Sequence, residues 1–378
     1  MQLSTFSFRP HSGWSVPDFP ALDSAQTLVM VFAAPEYMEN GTPLADLKQA
    51  YPRSKLIGCS AAGEIAGACV NDASLSVAVV RFEHSRIAVV STDITEADSR
   101  AAGERLAREL DPDGLRGVFV LSEGLNVNGS ELVRGLNSVL PPHVVVTGGL
   151  AGDGERFQGT WVIRDREKRM GAVVAAGFYG ERLRIRHGSR GGWDVFGPER
   201  RVTRAKGNVL YELDGRPALA LYKEYLGERA TDLPAAGLLF PLSIRAHAAD
   251  TEPLVRCITA VNEADQSMTF AGDVPAGHLA QLMQANFDRL ITGASDAADL
   301  ARGPGDDNGP VLAVAISCVG RRMVLGERTE EETEITLEHL PRGTQQVGFY
   351  SYGEISPYTD GACDLHNETM TLTTFCET

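Results

Sequence analysis

The sequence lacks the features of several large classes of protein. No apolar run approaches the ~18–20 residues that a membrane-crossing helix needs. The N-terminal segment MQLSTFSFRPHSGW has neither a basic start nor an apolar core, so an export signal is not indicated. Basic residues are outnumbered, 35 against 50 acidic, and a net charge of −15 repels nucleic-acid phosphates and anionic lipid head groups. We therefore expect neither a nucleic-acid partner nor a membrane.

Familiar catalytic and cofactor motifs are missing as well. The chain contains no G-x-x-x-x-G-K-[ST], no H-E-x-x-H and no G-x-S-x-G, and its GGLAGDG stretch does not read G-x-G-x-x-G. The six cysteines include no C-x-x-C pair, which argues against a zinc knuckle and against covalently attached haem. Unpaired thiols favour the reducing cytoplasm.

What the sequence contains is a repeated strand–helix–strand unit. The hydrophobic content of 43% over 378 residues supports a large core, and apolar runs without alternation predict buried strands. In the second unit Asn128 and Glu131 predict a helix cap, and in the third Thr329 and Glu332 predict a capping box. The units begin with the predicted strands Thr27–Ala34, Gly117–Ser122 and Pro310–Ser317.

Each unit ends in a glycine-rich turn followed by an acid. The first reads GCSAAGEI from Gly58 and the third reads GFYSYGEI from Gly348, which match as G-x-x-x-x-G-E-I. The second, GGLAGD from Gly148, has the same Gly-acid ending. We expect each turn to need glycine dihedral angles and to fix its carboxylate in place. If the turns converge, the carboxylates of Glu64, Asp153 and Glu354 could bind a ligand's ammonium group or serve as acid/base groups. Their alternative role is to cap backbone N–H groups inside each turn.

The remaining patterns complete a mixed α/β prediction with helix-covered sheets and two pseudo-related halves. Alternation in Leu183–His187 places His187 on the apolar face of a strand. Helical spacing of apolar residues predicts a helix over Ala276–Ile291. The Gly- and Pro-rich stretch Ala301–Pro310 predicts an exposed loop.

At the glycine turns the sequence resembles the FIST family of bacterial sensory proteins. The matching pieces occur in the family's order between residues 56 and 370: IGCSAAGEI, VTGGLAGDG, VTRAKGNVLYELDGRPAL, FYSYGEISP and LHNETM. The resemblance implies a FIST N-terminal part over residues 20–195 and a C-terminal part over residues 196–378. It also implies a cytoplasmic ligand sensor rather than an enzyme. Stand-alone members of this size resemble haem-binding, nitric-oxide-sensing FIST proteins that act on a partner histidine kinase. The sequence leaves open whether the chain forms a homodimer.

A haem b group would need an axial ligand, and two histidines are candidates. His187 can offer a nitrogen to iron from the apolar face of its strand. His247 shares a face with Arg245, which could pair with a haem propionate. Trp193, beside a Gly-Gly pair, could line a flat apolar pocket. For all four residues the competing expectation is an ordinary structural role.

Two other functions remain open. One is a binding module for a small polar metabolite such as an amino acid, without haem. The other is a hydrolase or transferase that uses Cys59, which follows Gly58 in the first turn and could be a thiolate ligand or nucleophile. No base or orienting acid can be identified from spacing, and packing is the competing role for Cys59.

Overall fold

The structure is a computed structural model that describes residues 1–39, 41–247, 253–303, 309–357 and 362–378. The strands of the first part are β1 (Gln2–Arg9), β2 (Gly13–Trp14), β3 (Thr27–Ala33), β4 (Lys55–Ser60), β5 (Glu64–Ala66), β6 (Cys69–Asn71), β7 (Leu75–Arg81), β8 (Arg86–Asp93), β9 (Leu115–Ser122), β10 (Val145–Leu150), β11 (Val162–Arg164), β12 (Glu167–Arg169), β13 (Ala172–Tyr179) and β14 (Leu183–Arg190). Those of the second part are β15 (Trp193–Lys206), β16 (Val209–Leu213), β17 (Arg216–Pro217), β18 (Leu242–Arg245), β19 (Leu254–Arg256), β20 (Ile258–Asn262), β21 (Ser267–Phe270), β22 (Leu279–Ala285), β23 (Leu312–Cys318), β24 (Gln345–Ser351), β25 (Gly353–Pro357), β26 (Cys363–His366) and β27 (Met370–Glu377).

The helices of the described ranges are fewer than the strands. They are α1 (Thr42–Ala50), α2 (Ser99–Arg108), α3 (Gly129–Asn137), α4 (Ala218–Leu226), α5 (Phe287–Ala301), α6 (Val319–Leu325) and α7 (Thr329–His339). Short 3₁₀ turns lie at Pro35–Met38, Glu96–Asp98, Gly227–Asp232, Ala235–Leu239 and Gly326–Arg328. None of the helices in the described ranges combines the length and hydropathy that a bilayer crossing requires.

Three sheets repeat one arrangement, and they contain the three predicted units. In each sheet the unit's first strand pairs in parallel with its second and antiparallel with a later strand: β3 with β4 and β7, β9 with β10 and β13, β23 with β24 and β27. All residues of β3 and β23 are buried, as expected for apolar runs covered on both faces. The prediction of a mixed α/β fold with helix-covered sheets is confirmed.

The three sheets exchange hairpins in a ring. The hairpin β5–β6 follows β4 along the chain but pairs with β24 of the third unit. The hairpin β25–β26 follows β24 but pairs with β10 of the second unit. The strands β11 and β12 follow β10 but lie at the edge of β4 in the first unit. Each glycine turn is therefore the place where the chain leaves one sheet for the next, and we call the three sheets together the core.

A glycine at the same position of each turn permits close pairing of the parallel strands. Gly58, Gly148 and Gly348 lie opposite Val31, Val120 and Ala315. A Cβ atom at these glycines would lie only 2.2, 1.9 and 1.8 Å from the carbonyl oxygen of the respective partner. The repeated glycine of the sequence motif is thus required by the approach of two backbones.

A fourth sheet is inserted between β14 and α5. It contains β15 to β22 with α4 packed on it, and we call this part the lobe. The long strand β15 pairs with β22 on one side and with β16 on the other, so it lies in the middle of the lobe sheet. The predicted division of the chain near residue 195 stays a prediction.

Two local predictions from sequence are wrong. The helix predicted over Ala276–Ile291 is strand β22 followed by the start of α5, because Leu279–Ala285 pairs with β15 and β18. The capping box at Thr329 and Glu332 does not form, since the Glu332 carboxylate turns inward to Arg321 at 2.8 Å. By contrast, Asn128 does cap α3 by accepting from the Glu131 N–H at 3.1 Å. The middle of the predicted loop, residues 304–308, lies outside the described residues.

Candidate functional site

A cavity of about 640 Å³ lies where β14 meets the start of the lobe. Strand β14, the Gly191-Gly192 link and the turn before β27 form much of its wall. The residues that line it are Val145, Ile185, Arg186, His187, Gly188, Ser189, Arg190, Gly191, Gly192, Trp193, Pro253, Val255, Met283, Arg289, Leu300, Pro357, His366, Asn367 and Thr369.

The polar groups of this cavity are mainly hydrogen-bond donors. Three arginines face it, and none of the described residues that line it is acidic. Arg289 forms an ion pair with Asp194 outside the lining, whereas Arg190 has no acidic partner among the described residues. The Trp193 side chain is buried, and its Nε1 atom has no hydrogen-bond partner among the described residues. Such a set favours a ligand that carries negative charge and accepts hydrogen bonds.

Two histidines lie on the same wall. Burial lowers the pKa of His187, so the imidazole is neutral near pH 7. Its Nδ1 lies 3.5 Å from the Ser356 hydroxyl, and no hydrogen bond from the described residues engages its Nε2. His366 is more deeply buried, which lowers its pKa to about 4, and its Nε2 donates to the Ser356 carbonyl at 2.9 Å. His187 is therefore the histidine with a nitrogen available to a ligand.

The structure separates the other predicted haem residues from the cavity. His187 and Trp193 both line it, but Arg245 and His247 do not. Arg245, near the end of β18, forms an ion pair with Glu199, and His247 is exposed beyond that strand. The strand β18 that carries Arg245 belongs to the lobe sheet, where it pairs with β22.

The three glycine turns do converge. The Ala62 N–H donates to the Tyr350 carbonyl at 2.8 Å, and the Tyr350 N–H donates back to Gly63 at 2.9 Å. The Gly152 N–H donates to the Ser60 carbonyl at 3.1 Å, which joins the second turn to the first. The shared surroundings of the turns are thus a network of backbone hydrogen bonds.

Each turn carboxylate accepts hydrogen bonds from the segment that follows its turn. Glu64 accepts from the amide and hydroxyl of Ser74, at 3.0 and 2.7 Å. Glu354 accepts from the amide and hydroxyl of Thr369, at 3.2 and 2.9 Å. Asp153 accepts from three successive backbone N–H groups, those of residues 157 to 159. None of the three carboxylates lines the cavity described above.

Asp153 is not equivalent to the two glutamates. Glu64 and Glu354 lie opposite Phe349 and Gly149, each one residue after the first glycine of the neighbouring turn. In the first sheet the equivalent position lies opposite Cys59, which follows Gly58, and Val162 occupies it. The second unit therefore contains extra residues before its exchanged hairpin, and Asp153 caps that insertion.

Cys59 lies in the centre of the core. Its side chain is fully buried on β4, and desolvation raises the pKa of its thiol well above the usual value. No side-chain hydrogen bond to it exists among the described residues, and it lines none of the cavities described here. These surroundings are typical of a packed structural cysteine.

A second cavity, of about 460 Å³, lies beside the first two turns. Ala62 and Gly154 reach it, together with residues of α6 and the following turn. Its main cation, Arg322, is already bound to the Asp72 carboxylate and to the Ala62 carbonyl. This second cavity therefore offers less free charge than the first.

Sequence reasoning missed Arg190 and Arg289 as cavity residues. Arg190 lies three residues after His187 at the end of β14, so strand alternation assigns the two side chains to opposite faces and gives no reason to expect both at one cavity. Arg289 comes from the first turn of α5, nearly a hundred residues later, and only the tertiary fold brings it to the cavity.

Comparison with known proteins identifies the family. The FIST N domain model matches residues 27–216, and the FIST C domain model matches residues 218–357. The chain belongs to the FIST family. FIST domains are small-ligand-sensing domains of signal transduction, which fits a chain whose cavity is built from donors around a neutral histidine.

Two relatives of this FIST protein are described as uncharacterized proteins. A protein of Mycobacterium tuberculosis is 27% identical over 350 residues, which cover 88% of this chain and 87% of the relative. A protein of Methanocaldococcus jannaschii is 24% identical over 338 residues, covering 82% of this chain and 62% of the relative. Among solved structures, cyanuric acid hydrolase from A. caulinodans aligns with a TM-score of 0.32 and 8% identity over 93% of this chain and 89% of the hydrolase. That likeness carries no conclusion about activity.

Proposed function

We propose that this FIST protein is a cytoplasmic haem-based nitric oxide sensor that regulates a partner histidine kinase in trans. The observation that supports this proposal most is the position of His187. It is a neutral imidazole on the wall of a 640 Å³ cavity that also presents arginine and apolar side chains.

The residues present fit a haem b group. A haem needs an imidazole nitrogen for iron, apolar surface for the ring and cations for its propionates. His187 would hold the iron through Nε2, and Ile185, Met283 and Leu300 supply apolar surface. Arg190, which has no acidic partner among the described residues, would hold a propionate. When bound, the haem would supply a gas-binding iron, a chemistry that amino-acid side chains do not offer.

The chain can transmit a change at His187 through its own strand. His187 lies in β14, which pairs with β27 on one side and packs against α5. A change in the position of the imidazole therefore moves β14 against α5, and α5 in turn packs on α7. A partner kinase that contacts α5 or α7 would distinguish two conformers of the sensor by such a movement.

The absorption spectrum tests this proposal. The full chain is titrated with haem, then reduced and exposed to nitric oxide, beside His187→Ala and the control His143→Ala, which changes an exposed histidine outside the cavity. We expect a Soret band in the wild type and the control, and its loss or shift in His187→Ala. Haem binding no tighter than that of an unrelated acidic protein would contradict the proposal. Autophosphorylation of a candidate kinase, with and without the loaded sensor, tests the partner.

A second candidate is a sensor of a small carboxylate-bearing metabolite such as an amino acid. It is favoured by the unpartnered Trp193 Nε1 and by Arg190, which together would hold a carboxylate. This alternative predicts an increase in melting temperature with particular metabolites and no chromophore. A panel of amino acids and other carboxylates that leaves the melting temperature unchanged would argue against it.

We propose no catalytic turnover for this chain. The third hypothesis from sequence needed Cys59 as a nucleophile. Its thiol is buried, has a raised pKa and has no side-chain partner among the described residues that could take its proton. Alkylation of the native protein should therefore leave Cys59 unmodified.

A further inference from the structure

A second cluster of reactive side chains lies behind the wall of the cavity. Cys257 lies between β19 and β20 of the lobe, Cys318 ends β23 of the core, and Glu368 lies in the turn between β26 and β27. One ligand atom from each lies within 4.8 Å of the other two. All three side chains are buried, with relative exposures of 1% or less.

The carboxylate of Glu368 is poorly satisfied by the protein alone. Its Oε1 accepts from the Cys257 thiol at 2.7 Å, but its Oε2 has no hydrogen-bond partner among the described residues. A buried carboxylate oxygen without a partner costs free energy, so this atom calls for an explanation. A bound cation at the cluster would provide one.

The backbone around Glu368 is shaped to hold its carboxylate there. Glu368 has a φ of +62°, a left-handed conformation that non-glycine residues rarely adopt. Gly320 makes room for it, since a Cβ atom at residue 320 would lie 2.4 Å from Oε1. The chain thus accepts local strain to place a carboxylate beside two thiols, as functional sites often do.

We propose that Cys257, Cys318 and Glu368 form a buried Zn²⁺ site that ties the lobe to the core. Two thiolates and one carboxylate are ligands that Zn²⁺ prefers. Bonds of about 2.3 Å to sulfur and 2.0–2.2 Å to oxygen place the ligand atoms of a tetrahedral ion roughly 3.6–3.8 Å apart. In the observed cluster the three ligand atoms lie within 4.8 Å of one another, and Cys257 Sγ lies 2.7 Å from Glu368 Oε1, so a bound ion would move these two atoms apart.

A buried cation, which is itself paired with Glu332, lies beside the proposed site. Two thiolates and a carboxylate leave one net negative charge around a divalent ion. The buried Arg321 guanidinium lies beside the site and donates to the Glu368 carbonyl at 3.5 Å. The flanking residues Asn367 and Thr369 line the cavity, so the ion would fix part of the cavity wall as well.

Metal titration of the reduced full chain tests this site. After removal of metal with a chelator, Zn²⁺ alone should bind at one equivalent per chain in competition with a chromophoric chelator. Co²⁺ alone should give a thiolate-to-cobalt charge-transfer band, which a histidine site in the sensing cavity would not give. The cobalt spectrum is recorded on the wild type, so it decides the matter even where a variant fails to fold. A wild-type chain without stoichiometric binding or without the thiolate band overturns the proposal.

Variants then assign the ligands. Cys257→Ser, Cys318→Ser and Glu368→Gln should each weaken Zn²⁺ binding by about 100-fold or more. Loss of a group that only orients a ligand costs up to about 100-fold in metal affinity, and loss of a ligand should cost at least as much. Cys363→Ala, which changes a buried cysteine outside the cluster, should bind Zn²⁺ as the wild type does. Cysteine variants that fold, by circular dichroism, and keep wild-type affinity overturn the assignment. Neither measurement uses haem, so the result is independent of the proposed sensor function.

Discussion

Glu64 and Glu354 occupy equivalent positions in the first and third units of the core. In each case one carboxylate oxygen accepts from both the amide and the hydroxyl of a single residue, Ser74 or Thr369. Burial raises the pKa of each glutamate to about 8, although these hydrogen bonds lower it in part. The repeated acid of the sequence motif therefore joins its turn to the residue that follows the exchanged hairpin, as a mostly protonated group at neutral pH.

The first prediction concerns Glu64→Gln. Between the ordinary glutamate pKa of 4.5, which applies to the unfolded chain, and the folded value of about 8, the folded chain keeps a proton that the unfolded chain has lost. The free energy of unfolding of the wild type therefore falls as pH rises through this window. Glutamine can accept the same Ser74 hydrogen bonds without a charge. We expect the variant to match the wild type near pH 5 and to exceed it by at least about 1 kcal/mol at pH 9.

Urea unfolding at several pH values measures this difference. Glu109→Gln, at an exposed position of the second unit, is the matched control and should show no such trend. A stability difference between Glu64→Gln and wild type that stays constant from pH 5 to pH 9 would rule out the proposed linkage.

The second prediction concerns the glycine of the third turn. In Gly348→Ala the new Cβ would lie 1.8 Å from the Ala315 carbonyl oxygen, so two parallel strands must separate. We expect a loss of about 3 kcal/mol in the free energy of unfolding. Gly309→Ala, whose Cβ would meet no atom closer than 3.9 Å, should change stability by less than about 0.5 kcal/mol. Equal effects of the two substitutions in urea unfolding would refute the argument.

The third prediction concerns the buried ion pair of Arg321 and Glu332. The two side chains are fully shielded from solvent, and Glu332 also accepts from the Tyr350 hydroxyl at 2.6 Å. Arg321→Met leaves a buried carboxylate without its cation and should cost about 3–5 kcal/mol. The double variant with Glu332→Gln should cost less than the sum of the single changes.

An exposed pair provides the control for this cycle. Arg108 and Glu104 pair on the surface of α2, and Arg108→Met should cost at most about 1 kcal/mol. Strict additivity of the Arg321 and Glu332 substitutions would show that the two groups do not depend on each other.

The fourth prediction concerns Arg190 and the haem proposal. Arg190→Gln removes the cavity cation that has no acidic partner among the described residues. We expect haem affinity to fall about 10-fold, the cost of one charge-assisted hydrogen bond. Binding of haem dimethyl ester, which has no propionate charge, should not change. Arg116→Gln, an exposed arginine outside the cavity, is the control. A loss of equal size for haem and its ester would show that Arg190 acts otherwise than through a propionate.

The local parts of the fold could be predicted from sequence, and the parts that depend on distant partners could not. The apolar runs in β3, β9 and β23 show no alternation, so the local sequence pattern predicts their burial. Residues Leu279–Ala285 also satisfy helical spacing, and only pairing with β15 and β18 makes them a strand.

The candidate site likewise contains some residues that the sequence predicts and others that only the tertiary fold brings to it. His187 and Trp193 are near each other in the sequence, and both were predicted as cavity residues. Arg289 comes from a helix that the fold brings to the cavity from far along the chain. Glu332 followed a capping pattern, but the buried Arg321 guanidinium attracts its carboxylate more strongly than exposed N–H groups do.

The ring of exchanged hairpins makes the core indivisible. Strands β5 and β6 lie within the FIST N match, yet the neighbour that completes them is β24, within the FIST C match. A polypeptide cut between residues 216 and 218 would leave strands with unpaired backbone N–H and C=O groups on both fragments. Such unpaired edges tend to pair with other chains and cause aggregation. Each family match thus contains a strand whose sheet is completed by the other match: β5 pairs with β24, and β25 pairs with β10.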